Sequence, residues 1–311
     1  MLTSTPTRPS SRPFRVSVSR VRRLSPSFVR VTFSGDELHE FGAEGLDQRV
    51  KIVLPHPELG FDRFPTEGDW YGVWRGLPDA ERNVFRTYTS RAVRPAEREV
   101  DVDFVCHGTA GPASAWVEGA AVGDEIVIVG PDGTSGWSRS GIEWDPREAR
   151  TVLLAGDETA VPAISAILEQ LPGDARGCVF LEVPSDADVL PIGAPDGVDV
   201  HWLPRASHAL AGGAAHGEPL IQAVRDWTSR FVTATHHGAP TDADSLAEVD
   251  IDHEILWEVP IGTDLGGELY AWLAGEAGAI KTLRRFLVSE MGIHRSQVAF
   301  MGYWRLGKAE G

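Results

Sequence analysis

The sequence predicts a β barrel plus α/β architecture: an antiparallel barrel first, then a unit built on a parallel sheet with helices on both faces. Three observations predict it. The 311 residues are about twice the ~150 expected of one domain. Up to residue 146 the chain reads as short strands between Gly and Pro turns, with little helical periodicity. Beyond Trp144-Asp145-Pro146 it alternates strands with amphipathic helices, the pattern of a parallel sheet.

Taken in order, residues 1–13 are Ser, Thr, Pro and Arg with no apolar core, and read as a flexible arm rather than a signal peptide or anchor. In the barrel domain, 14–146, strands are expected at Phe14–Val21, Phe28–Phe33, Arg49–Leu54, Arg86–Arg91, Glu99–Cys106 and Glu125–Val129. In the second domain, 147–311, a buried strand at Arg150–Leu154 leads through Gly156 into a helix over Ala160–Leu171. Val161, Ile164, Ile167, Leu168 and Leu171 give that helix its spacing. Strands follow at Cys178–Val183 and Val198–Leu203, then a helix at Leu220–Trp227. A strand at Leu269–Ala274, a helix over Glu276–Met291 closed by Gly292, and a last strand at Val298–Tyr303 complete the alternation. Residues 228–267 read as an irregular insertion. Its stretch Thr241–Glu258 carries Asp242, Asp244, Glu248, Asp250, Asp252, Glu254 and Glu258, with Asp264 just beyond and no basic residue among them, as a solvated loop would.

Charge excludes one class of partner. The chain carries −16, divided as −3 before residue 150 and −13 after it, so a nucleic-acid phosphate backbone is not expected to bind. Two cysteines, Cys106 and Cys178, make no disulfide framework and no Cys-x-x-Cys, which suits a reducing, cytoplasmic setting. The longest apolar runs are strand-sized, so no membrane insertion is expected. The P-loop, G-x-G-x-x-G, H-E-x-x-H and G-x-S-x-G patterns are all missing. His236 and His237 are adjacent and poorly placed to share one metal, and no metal site is expected.

Chemistry enters at Arg86-Thr87-Tyr88-Thr89, inside a barrel strand. Alternation puts Arg86 and Tyr88 on one face and Thr87 and Thr89 on the other. A guanidinium can pair with a diphosphate, a phenol ring can cover a flat heteroaromatic, and a hydroxyl can bond a ring nitrogen. Those are the needs of a flavin dinucleotide, although four such residues also suit an ordinary half-exposed strand. Next, Val102–Trp116 reads as a strand, His107-Gly108, then Gly111-Pro112-Ala113-Ser114 opening a helical turn, whose free amides would cradle a diphosphate.

The order R-x-Y-T, D-F-V-x-H-G, G-P-A-S-x-W and G-D-x-I-x-x-x-G-P resembles the flavin domain of the siderophore-interacting proteins, ferric-siderophore reductases within the ferredoxin–NADP reductase-like group. Ala155–Ala163, Tyr270–Glu276 with Leu283-Arg284-Arg285, and the closing Gly302-Tyr303-Trp304-Arg305 with Gly307 extend the resemblance over about residues 14–308. The resemblance implies that Arg86, Thr87, Tyr88 and Thr89 hold FAD, that Asp103, Val105, His107 and Gly108 line it, and that Gly111, Ala113 and Ser114 meet its phosphates. It implies a nicotinamide site at Gly156, Asp157, Glu158, Thr159 and Glu276, and Tyr303-Trp304 near the flavin. Glu276 is equally suited to favouring a helix N-terminus by its charge.

For an often anionic ferric chelate, Lys51 and Arg305 are the expected cations. Asp132 stands where a third is common in the family, with Arg139 a replacement. The implied activity is cytoplasmic: hydride from NAD(P)H to FAD, then single electrons to Fe(III) and release of Fe(II). The alternatives are a generic flavin-dependent reductase serving another acceptor and a non-catalytic siderophore-binding flavoprotein. Partners are then a ferric siderophore and a nicotinamide dinucleotide, with the protein a monomer or weak dimer. Glu182–Asp186 at a strand end lacks a cation for a 2′-phosphate, which favours NADH, and Arg205 is the residue that could restore NADPH.

Overall fold

The computed structural model describes residues 9–106, 111–207, 214–235, 249–251, 254–260 and 268–308. The chain divides into two compact units, Met1–Ile142 and Glu143–Gly311. His107 and Gly108 lie outside the described residues, as does most of the acidic segment.

In the first unit, β1 (Ser11–Arg23), β2 (Phe28–Ser34), β3 (Arg49–Val53), β4 (Phe85–Arg94), β5 (Glu99–Val105) and β6 (Glu125–Pro131) close a barrel in the order β1-β2-β5-β4-β3-β6. Every pairing is antiparallel. Alternation fills the interior with Phe14, Val16, Val31, Phe33, Val50, Ile52, Val102, Phe104, Ile126 and Ile128. A second apolar cluster of Val53, Phe61, Phe64, Trp70, Val127 and Val129 covers the outside of β3 and β6, with the short helix α1 (Trp70–Arg75) laid on it. Strand β6 is thus buried on both faces, which is why Ile126–Val129 is an unbroken apolar run. The helix α2 (Pro112–Gly119) follows β5.

In the second unit, β7 (Thr151–Gly156), α3 (Val161–Leu168), β8 (Arg176–Val183), β9 (Val198–Pro204), α4 (Glu218–Thr235), β10 (Trp257–Glu258), β11 (Leu269–Glu276), α5 (Ala277–Arg284) and β12 (Val298–Trp304) form a sheet of order β10-β12-β11-β7-β8-β9 with its helices. Strand order reverses beside β7, where Gly156 lies opposite Ala274. A Cβ on Gly156 would stand 2.5 Å from the Ala274 carbonyl, so only glycine lets β7 and β11 end this close together. Helices α4 and α5 share one core with Leu153, Ala271 and Leu273.

Four expectations need correction. The sheet is not wholly parallel, because Trp257–Glu258 adds an antiparallel edge to β12. The start of the 228–267 segment is not irregular: α4 runs on to Thr235, its apolar stripe extended by Trp227 stacked on Phe231 at 5.0 Å. Helix Glu276–Met291 begins one residue later, with Glu276 as its cap, and widens to π turns over Arg285–Glu290. Glu258, read as part of a solvated acidic run, is paired with the buried Arg284 at 2.6 and 2.9 Å.

Candidate functional site

Two places concentrate chemistry, one in each unit. In the barrel, Tyr88 lies against the interior, its ring 4.5 Å from Phe104, and Phe104 is 5.9 Å from Trp116 of α2. This aromatic seam joins the strand that carries Arg86 and Thr89 to the helix that carries Ala113 and Ser114. The cap of α2, Gly111, makes no side-chain bond to the helix, and the first turn holds no acidic residue. Among the described residues no side chain caps these amides, and with small residues around them and a cation on a neighbouring strand they suit a diphosphate, so the barrel's residues fit FAD.

Other expected cofactor residues are committed within the barrel. Asp103 is buried on the outer face of β5 and accepts two hydrogen bonds from Arg30, at 2.6 and 2.8 Å. Val105 shares its face by alternation and is also buried. Thr89 is buried and Thr87 exposed. Lys51 pairs across the ladder with Thr87, so it shares the outer face with Thr87 and Thr89 rather than with Arg86 and Tyr88, and its ammonium sits 4.7 Å over the Phe85 ring. Asp132 is buried in its own turn, accepting from Thr134, while Arg139 reaches Glu44 at 3.5 Å.

In the α/β unit, ionisable groups crowd the C-terminal ends of the strands. Asp157 is buried and accepts from the Thr159 amide at 2.9 Å, the Glu276 amide at 2.8 Å and the Trp304 indole N–H at 2.8 Å. It thereby ties the ends of β7, β11 and β12 together. Burial, reinforced by Glu158 next door, lifts its carboxyl to about 6. Glu158 is also buried, which works against its charge. Two hydrogen bonds of 2.8 Å from Arg205 more than compensate and hold it at about 2. Arg205 also reaches the fully buried Glu182 at 3.0 Å. The clamp corrects the expectation that Arg205 is available to a coenzyme phosphate.

Sequence reasoning missed His216, which completes this cluster. Its Nε2 lies 3.6 Å from Asp157 and 3.7 Å from Glu158, its Nδ1 4.0 Å from Glu182, and its ring stands edge-on to Trp304 at 4.9 Å. Burial disfavours the imidazolium, but these carboxylates outweigh it and raise the histidine above its ordinary 6.5. No motif or periodicity marks Ala215-His216-Gly217, so only the fold could reveal it. Glu276 has the capping role: its carboxylate accepts from Ala279 at 2.9 Å and from Leu306 at 3.2 Å. Tyr303 stacks on Trp257 at 5.9 Å, and Arg305 donates to the Ile251 carbonyl at 2.6 Å.

A closed antiparallel barrel with an open helix N-terminus, followed by an open sheet whose order reverses at β7, defines the ferredoxin–NADP reductase-like class of flavoproteins. A ferredoxin–NADP+ reductase from Neisseria gonorrhoeae shares the fold at 12% identity, with a TM-score of 0.57 over 94% of this chain and 99% of its own. Residues 17–135 match the siderophore-interacting FAD-binding domain and residues 149–307 the siderophore-interacting protein model. The chain belongs to the siderophore-interacting protein family. It is 31% identical over 294 residues to the ferric vibriobactin reductase ViuB of Vibrio cholerae, covering 94% of this chain and 89% of that one. A siderophore utilization protein from T. fusca superposes with a TM-score of 0.69 at 29% identity, over 96% and 95% of the two chains. No helix among the described residues is long and apolar enough to cross a membrane.

Proposed function

We propose that this protein reduces the iron of a ferric siderophore at the expense of NADH or NADPH. One nicotinamide hydride reduces two Fe(III) to Fe(II) and leaves one proton. Bound FAD would supply the conversion of a two-electron hydride into single electrons. The chain's own residues bind and orient. Arg86 and the amides opening α2 would neutralise the diphosphate, and Tyr88, backed by Phe104, would present a flat face to the ring system. Lys51, on the face it shares with Thr87 and Thr89, would attract an anionic chelate. Asp157 keeps Trp304 in place at the sheet edge where a coenzyme would enter. Reduction releases the metal because hard oxygen donors hold Fe(II) far more weakly than Fe(III).

The observation that carries this reading is the seam from Tyr88 through Phe104 to Trp116, which links the strand of R-x-Y-T to helix α2 in a chain of this family. The test is anaerobic mixing of the purified yellow protein with NADH or NADPH and a ferric tris-catecholate or tris-hydroxamate, following flavin bleaching and Fe(II) captured by a chromogenic chelator. A flavin that neither nucleotide bleaches sinks the proposal. Reduction that requires an added protein carrier favours a generic reductase instead.

A further inference from the structure

We propose that the α/β unit selects the nicotinamide coenzyme that lacks a 2′-phosphate, with Arg205 withheld from phosphate by Glu158 and Glu182, and with Asp186 as the exposed carboxylate that repels one. The inference rests on the reading that a nicotinamide dinucleotide is the reductant. In open sheets of this kind the dinucleotide lies beyond the C-terminal strand ends, and the 2′ position of its adenosine ribose is read near the end of the second strand. Here that strand is β8.

Four observations around β8 point the same way. The turn after it, Pro184–Gly197, contains no lysine or arginine, and Arg205 is the only one between Pro204 and Gly217. Arg205 spends three hydrogen bonds, of 2.8, 2.8 and 3.0 Å, on Glu158 and Glu182, both of them buried away from competing water. The N-terminus of α4, held against the end of β8, is already filled: the Gly217 and Leu220 amides donate to Glu182 at 2.7 and 3.1 Å. Finally, Asp186 stands exposed just beyond β8, accepting from Ser207.

A 2′-phosphate adds nearly two negative charges and would meet carboxylates, with the one guanidinium already shared between two of them. The diphosphate is common to both coenzymes, so the selection falls on that single group. This is discrimination by repulsion rather than by a new contact.

The test is equilibrium titration of the full-length protein with NAD+ and, separately, NADP+ by calorimetry, in wild type and in Asp186→Arg. Asp186 is exposed, so the variant should fold. We expect wild type to bind NAD+ at least tenfold more tightly at ~0.1 M salt, with the gap narrowing as salt screens the carboxylates. Asp186→Arg should shrink the ratio by tenfold or more. NADP+ binding as tight as NAD+ in wild type overturns this inference alone, as does a ratio unchanged in Asp186→Arg. Binding of neither, with a flavin that neither bleaches, overturns the reductant reading as well.

Discussion

The helix N-termini of the two units are treated differently at α2 on one side and at α4 and α5 on the other. In the barrel, α2 begins at Gly111 with no side-chain cap and no acid in its first turn. In the α/β unit, carboxylates of the protein itself take the amides at the starts of two helices, Glu182 those of Gly217 and Leu220 at α4 and Glu276 that of Ala279 at α5, while α3 begins after Ala160 with no side-chain cap and no acid in its first turn, as α2 does. Elementary electrostatics makes any of these ends attractive to an anion. What differs is whether the protein has already supplied one. Among the described residues the start of α2 carries no acid of its own, and under the proposed function it receives a phosphate-bearing group. The α/β unit closes the ends of α4 and α5 with its own carboxylates and gathers its remaining strand-end charges into a buried, paired cluster.

The sharpest way to break that comparison is to remove the cation from the buried cluster. Arg205→Met removes the guanidinium from Glu158 and Glu182, leaving His216 as the neighbouring cation among the described residues, and should cost about 3–5 kcal/mol in denaturant unfolding, because uncompensated buried charge is expensive. The barrel counterpart, Arg30→Met beside the buried Asp103, should cost about 1–2 kcal/mol, since Arg91 still lies 3.9 Å from Asp103 and offsets part of its charge. Equal costs would refute the contrast.

The open barrel end is tested by Arg86→Ala, expected to weaken FAD retention roughly tenfold or more, read as the flavin-to-protein absorbance ratio after gel filtration. Retention at the wild-type level would remove Arg86 from the cofactor site.

A smaller effect is expected from pH. His216 has its folded value raised above 6.5, so the stability it contributes is complete below that value and is lost as pH rises through the raised one. Asp157, raised from 3.8 to about 6, acts in the same direction at lower pH. Glu158, lowered from 4.5 to about 2, acts oppositely and loses its contribution only as pH falls below 4.5. The unfolding midpoint of the α/β unit should therefore fall on going from about pH 6 to about pH 9, and His216→Gln should flatten that fall. An unchanged profile in the variant would separate His216 from the carboxylates. Smallest of all, Arg139→Ala removes an exposed 3.5 Å pair with Glu44 and should change stability by no more than ~0.5 kcal/mol.

Much of the barrel was legible because its signals are local. Alternation along Phe14–Val18 or Glu99–Cys106 names the inward residues directly, and R-x-Y-T lies within a single strand. The same holds for α5, whose Ile280 and Leu283 mark the packed face. Less legible were elements stabilised from elsewhere. The two residues of β10 have no strand pattern and exist because β12 offers an edge. Glu276 reads equally as coenzyme contact or cap until Ala279 and Leu306 are seen to donate to it.

The sequence by itself determined the barrel, the strand–helix alternation, the R-x-Y-T and G-P-A-S segments and the excess of acid in the second half. Only tertiary structure decided what those acids do. Asp157, Glu158, Glu182 and Glu276 come from the ends of β7, β8 and β11, brought together with Arg205 and His216 by the sheet. Whether a carboxylate is solvated, caps a helix or clamps a guanidinium depends on burial and on partners tens of residues away, and no local pattern encodes either.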